Sequence, residues 1–212
     1  MAIVCPCSLS VDEYIAAERN LEVPRPDCPD CQLPMKFRSG YQRWIRVAGI
    51  CHRIWIGRAQ CRPCKKGHAL IPSFGLVRRL DVVETVGETL TAVVSGQTGV
   101  RPVAERLGVP HTTARDWVRR FRRRSERLGA GFASLSVLHS GVAPRVEGDI
   151  SEQQALSAMV VAFVAVRSRA GEAASLGIWA FCSVVTGGGF LASTTDPPWF
   201  VTGKRRFMPP IP

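Results

Sequence analysis

Two short cysteine turns, Cys28-Pro-Asp-Cys31 and Cys61-Arg-Pro-Cys64, stand 29 residues apart in this 212-residue chain. That spacing limits what the segment can become more than any other feature. Zinc takes four soft ligands at about 2.3 Å in a tetrahedron, and a Cys-x2-Cys turn offers two thiolates on one side of such a point. Two turns complete the shell and leave no position for water, so the expected role of the metal is structural. Cys51, His52 and His68 lie between or just after the two turns, and each is an alternative to one knuckle cysteine. Cys5-Pro-Cys7 is spaced more tightly than a usual zinc pair, and Cys182 sits in an apolar run as a small buried hydrophobe would. Met1 to Asn20 has neither a basic start nor an apolar stretch of the secretory kind, so the expected compartment is the reducing cytoplasm, where paired cysteines point to metal and not to disulfides.

Between the knuckles, Tyr41 to Val47 and Ile50 to Ile56 are rich in aromatic and β-branched residues on either side of Gly49, which predicts a β-hairpin. The same region is strongly basic. From Gln32 to Leu80 there are eleven Lys or Arg residues and no Asp or Glu, and from Arg101 to Arg127 there are nine Arg against Glu105, Asp116 and Glu126. The first 31 residues and residues 81–100 are acidic, so two blocks carry the formal net charge of +11. Segregated positive charge favours a polyanionic partner, although a solvated basic face with no ligand would give the same count.

The second block has an internal order that charge alone does not require. Pro102 suits the first turn of a helix, Ala104 is small where two helices would cross, Gly108 permits a sharp turn, and Val109 would face inward. A second helix then begins near His111 to Thr113. Its apolar residues Ala114, Trp117, Val118 and Phe121 share one face and leave Thr112, Thr113, Arg115, Arg119, Arg122 and Arg123 outside. This is the layout of a helix-turn-helix, whose second helix enters the major groove of double-stranded DNA. Thr112, Thr113, Arg115 and Arg119 are the expected base or near-base contacts, and Arg120, Arg122, Arg123 and Arg124 the expected phosphate clamps. An ordinary basic helical hairpin is the competing interpretation.

Elsewhere the signals are plainer. Ser10 with Glu13 predicts a capping box and a helix to about Leu21, ended by Pro24 to Pro26; Asp81 with Glu84 predicts the start of another helix, ended by Ser95 and Gly96. A linker is expected near Gly129 to Gly131, a loop around Ser140 to Gly148, and a helix from Glu152 to Arg167. Ala173 to Thr195 is uncharged, but Gly187, Gly188 and Gly189 interrupt it, which favours buried structure over a membrane span. Ala155 to Val166 and Leu176 to Val185 are expected to pack on each other, on a second subunit or on a recombinase.

The expected fold class is therefore α+β, a small β zinc ribbon followed by an α-helical helix-turn-helix and a mostly helical carboxy-terminal region. The division is 1–27, a helical segment; 28–80, the ribbon; 81–128, the DNA-binding helices; and 129–212, a linker and an apolar region for oligomerisation or docking. A chain ending near Leu128 is expected to keep its zinc and DNA affinity.

Cys28-Pro-Asp-Cys31, Trp44-Ile-Arg-Val, Cys61-Arg-Pro-Cys64, His68-Ala-Leu-Ile-Pro72 and the Ala104 to Trp117 turn together resemble an actinobacterial zinc-ribbon plus helix-turn-helix family of unknown function associated with mobile elements. They are also similar to the amino-terminal DNA-binding half of zinc-ribbon transposases. The resemblance covers about half the chain and implies site-directed DNA binding in recombination, transposition or transcription, without supplying a reaction. A transposase would need carboxylates gathered around divalent metals. After Leu128 only Glu147, Asp149, Glu152, Glu172 and Asp196 remain. The expectation is a sequence-specific, nucleoid-associated accessory factor or regulator with no catalytic centre and no membrane partner, acting as a homodimer or beside a recombinase; a compact recombinase and a protein-docking module are the alternatives.

Overall fold

A computed structural model describes residues 2–21, 26–168 and 176–192, and it is a mixed α+β structure. The chain order is β1 (Ala2–Cys5), α1 (Val11–Ala17), β2 (Lys36–Val47), β3 (Ile50–Gln60), β4 (Gly67–Pro72), α2 (Val83–Val94), α3 (Val100–Arg106), α4 (His111–Arg122), α5 (Ser125–Ser140), α6 (Ser151–Arg167) and α7 (Ile178–Val185). The four strands form one sheet in the order β1-β4-β3-β2, antiparallel except for β1 beside β4.

The hairpin turns through Ala48 and Gly49, both at positive φ (46° and 83°), the backbone of a two-residue turn that matches strand twist. Its strands run beyond the expected apolar stretch, to Lys36 and Gln60, because β4 pairs with Gly57–Gln60 and extends the ladder. One face buries Ile45, Ile54 and Ile56 against Tyr14, Phe74 and Val82. Tyr14 comes from α1, where the capping box forms: the Ser10 hydroxyl accepts from the Glu13 N–H at 3.3 Å and the Glu13 carboxylate from the Ser10 N–H at 2.8 Å. The helix stops at Ala17, with Glu18 at φ 47°, short of the expected Leu21; Pro24 lies outside the described residues.

Asp81 does not cap α2. Val82 occupies the cap position, with no side-chain cap bond. Asp81 instead accepts both guanidinium bonds of Arg46, at 2.6 and 3.0 Å, with only 4 % of its side chain exposed. Arg46 N–H donates to Leu80 O at 2.8 Å and Val82 N–H donates to Arg46 O at 3.2 Å, so the segment entering α2 is laid along the free edge of β2. Arg43 reinforces this by donating to the carbonyls of Leu76 and Arg79. Burial lowers the Arg43 pKa.

The expected linker at Gly129 to Gly131 is helical, because α5 runs straight through it. A Cβ at Gly129 would lie 3.5 Å from Ala155 Cα, an ordinary contact, so this position packs against α6 as part of a helix and not as a linker. Ser125 Oγ meets Ser151 Oγ at 2.8 Å, and Gly129 faces Ala155. The equal offset makes α5 and α6 parallel, with Gly141 (φ 75°) opening a connector that returns along them. Leu90, Trp117, Phe121, Phe132, Met159 and Phe181 belong to one apolar cluster, so α2 and α4 share a core with α5, α6 and α7. This core crosses position 128.

Helix α7 joins that core to the sheet. Phe181 meets Phe163 at 5.5 Å, the expected packing of the two late apolar segments, while Ala180 and Val184 meet Val4 and Ile71 of the sheet. Gly87 on α2 leaves room for the Trp179 indole, which any Cβ there would enter. Among the described residues no helix is long and apolar enough to cross a membrane.

Candidate metal centre and basic helix face

The two cysteine turns fold alike. Cys28 N–H donates to Leu33 O at 2.9 Å and Cys61 N–H to Lys66 O at 3.0 Å, and the residue after each second cysteine is left-handed, Gln32 at φ 57° and Lys65 at φ 60°. Each turn thereby points two sulfurs the same way. The β3–β4 pairing presents the second turn to the first, and the four Sγ atoms of Cys28, Cys31, Cys61 and Cys64 all lie within 4.8 Å of one another.

A tetrahedral site with metal–sulfur bonds of about 2.3 Å requires sulfurs about 3.8 Å apart. Cys28 Sγ and Cys64 Sγ are 3.7 Å apart. Donor set and spacing therefore fit a structural zinc ion, with all four residues as ligands. Cys28 and Cys61 are buried, and Ile3, Met35, Ala59 and Leu70 close around the group. Lys66 reaches across the turns to Asp30 at 2.9 Å, and this bond raises the Lys66 pKa.

The Lys66 N–H hydrogen bond, aided by the other cysteines, holds Cys64 down at about 7 despite burial. The hydrogen bond with Cys64, with burial, pushes the Cys31 thiol up to about 12. A cation bound by the four sulfurs would displace the thiol protons.

None of the alternative ligands joins the group. Cys51 is exposed at the start of β3 and His52 is half-buried beside it. His68 is buried in β4 opposite Ala59, outside the cluster. Cys5 packs beside the cysteines, but burial and the neighbouring Cys7 push it up to about 12. Among the described residues, the four cysteines form the metal-competent group of three or more side chains. Glu152 is engaged with Arg122 at 3.3 Å, Glu147 and Asp149 are exposed, and Glu172 and Asp196 lie outside the described residues.

On the helical side, α3 and α4 meet through the turn that the sequence predicts. Ala104 and Val109 are buried, Gly108 is left-handed at φ 64°, and Val109 N–H donates to Ala104 O at 2.9 Å. Ala114, Trp117, Val118 and Phe121 are the buried residues of α4. Opposite them Thr112, Arg115, Arg119, Arg122 and Arg123 form an exposed stripe, and Thr113 and Arg120 flank it half-buried.

Arg124 does not belong with them. It is 7 % exposed, because seven residues after Trp117 it comes back to the inner face where α4 gives way to α5. The expectation of a phosphate clamp at Arg124 is therefore corrected, and the seven-residue spacing was the available signal.

Two further features were missed. Asp116 accepts hydrogen bonds from Arg119 and, at 2.6 Å, from Arg120, and it faces Arg79 at 3.7 Å. Burial raises its carboxyl, but the bonds from Arg120 and Arg119 outweigh this and leave its pKa lowered. The second is a contact between turns: a Cβ on Gly108 would lie 2.9 Å from Gly49 Cα. The hairpin tip thus rests backbone against backbone on the turn preceding α4, a contact that only glycine permits and that only the tertiary fold reveals.

Comparison with protein-family models, with curated proteins and with solved structures gives no significant match, so the residues themselves carry the functional reading.

Proposed function

We propose that this protein is a sequence-specific double-stranded-DNA-binding factor, in which α3 and α4 act as a helix-turn-helix and the zinc-held hairpin braces them. The observation that carries the proposal is the exposed stripe Thr112, Arg115, Arg119, Arg122 and Arg123 on a helix whose opposite face is wholly buried. A helix anchored on one side fits the major groove with the other, and arginine can donate two hydrogen bonds to one guanine. Asp116 tethers Arg119, the expected base contact, and Arg120, the expected phosphate contact, before DNA arrives. The Gly49–Gly108 contact brings the basic hairpin beside the amino-terminal turn of α4, where base contacts concentrate. The role within a mobile element, as regulator or accessory factor, rests on the resemblance in the knuckle and turn motifs.

The test is fluorescence anisotropy with duplex DNA across a salt series. Binding should weaken steeply with salt, since each neutralised phosphate releases condensed counterion. Arg115→Ala and Arg119→Ala should relax preference at particular base pairs at a cost of about 1–3 kcal/mol, whereas Arg123→Ala should weaken all sequences alike. Equal losses on specific and random duplex for all three would make α4 a phosphate-binding surface and not a reader.

Self-association is a second element of the proposal. Val160 and Val164, one turn apart on α6, are 47 % and 59 % exposed, an apolar strip suited to a second copy. Light scattering of the wild-type chain and of Val164→Glu would test it, and a monomer in both would remove it.

A further inference from the structure

The hairpin has two faces, and the α4 proposal uses neither of them directly. Opposite the buried isoleucines, the outer face is formed in register by Gly40 and Gly57, Gln42 and Trp55, Trp44 and Arg53, and then Arg46 and Cys51. Its side chains are ordered by one another. The Arg53 guanidinium lies over the Trp44 ring at 4.8 Å and donates to Gln42 Oε1 at 3.3 Å. Trp55 lies flat across Gly40, where any Cβ would come within 2.4 Å of the indole, and Arg19 covers the ring at 4.7 Å. Beside it Gly57 has nothing within 4 Å of where a Cβ would project, which leaves bare strand backbone next to an aromatic ring.

We infer that this face binds unpaired nucleic acid, with bases stacking on the Trp44 and Trp55 level of the sheet and phosphates met by Arg53 and Arg19. Trp44 is 49 % exposed, a large aromatic surface in water on a segment with no acidic residue from Gln32 to Leu80. The partner must therefore be both anionic and planar. A duplex offers its phosphates but hides its base faces, whereas a single strand presents both, and indole–base stacking tolerates any sequence. Trp44 and Trp55 are diagonal neighbours on adjacent strands, about 7–8 Å apart at the backbone, far enough for two successive stacking positions. An arginine already stacked on each ring can swing to phosphate while a base takes its place. The face and the α4 stripe belong to different elements, so each is tested by its own variants and probe.

The test uses the full-length, zinc-loaded chain with two labelled probes, a twelve-residue oligothymidylate and a random-sequence duplex, followed by anisotropy at low salt. Trp44→Ala should weaken the oligothymidylate roughly tenfold or more, Trp44→Phe should retain most of the affinity, and duplex binding should stay within about twofold of wild type because a duplex cannot stack there. Gly57→Val is the second variant. It fills open space on a strand, so the fold tolerates it, and it should obstruct the single strand alone. Arg123→Ala, which weakens every duplex alike, should show the reverse pattern. No oligothymidylate binding by the wild type, unchanged affinity in both hairpin variants, equal losses on both probes, or competition by polyglutamate as effective as by unlabelled oligothymidylate would each overturn the inference.

Discussion

Gly108→Ala, set against Gly96→Ala, isolates the contact that joins the hairpin to the helices. Both glycines are left-handed, at φ 64° and 73°, so alanine at either pays the backbone strain of that region, about 1–2 kcal/mol. At Gly96 nothing lies within 4 Å of the new methyl, and strain is the whole cost. At Gly108 the methyl would sit 2.9 Å from Gly49 Cα and 3.2 Å from Gly49 N, inside the ordinary carbon contact of about 3.5–4.0 Å. The obstacle is backbone and cannot rotate away. Relief needs the hairpin tip to move by more than half an ångström, at a further cost of about 1–3 kcal/mol, as for other overpacked sites. Gly108→Ala should therefore melt below Gly96→Ala by about 2–12 °C for a chain of this size, measured by circular dichroism on zinc-loaded protein. Equal melting temperatures would show that the hairpin does not bear on the turn, and the bracing role assigned to the ribbon would fail.

The purified chain should carry one zinc, with sulfur at about 2.3 Å in X-ray absorption; Cys28→Ser or Cys64→Ser should lower metal content, Cys182→Ser should not, and mainly oxygen or nitrogen neighbours would refute the four-cysteine site. Asp116→Asn removes the carboxylate that Arg119, Arg120 and Arg79 share, so it should tighten random-duplex binding and blur base preference, while weaker binding to all duplexes would contradict the tether. Because the folded-state pKa of Asp116 is lowered, its contribution to stability is present above the unfolded value near 4 and lost as pH falls through the folded one; a pH–stability profile of Asp116→Asn should converge on wild type in acid. A chain ended after Leu128 loses Phe132, Leu135, Met159 and Phe181 from the cluster that holds α4, so it should lose cooperative unfolding of its helices, contrary to the independence that the sequence suggests; retention of full helicity and duplex affinity would restore that independence.

Local chemistry accounts for what the sequence made legible. Ser10 and Glu13 are three residues apart and satisfy each other, and Gly108 followed by Val109 marks a turn whatever surrounds it. The knuckle spacing identifies all four cysteines before any tertiary contact is known. Where the sequence misleads, a distant partner decides. Asp81 has the composition of a cap, but Arg46 competes for its carboxylate and wins with two hydrogen bonds. Gly129 to Gly131 has the composition of a linker, but packing of α5 on α6 holds the segment helical despite its low helix propensity. β1 is only four residues long and becomes a strand because β4 offers it an edge. The outer hairpin face was also hidden, since Trp44 and Arg53 meet only once the register is fixed.

The central claim is that the exposed stripe of α4 reads DNA sequence, and selection from a pool of randomised duplexes tests it most directly. The wild-type chain should enrich a defined motif at moderate salt, and Arg115→Ala should enrich the same motif with one or two positions degenerate. Enrichment of no motif by the wild type, or an identical motif from Arg115→Ala, Arg119→Ala and wild type, would contradict the account.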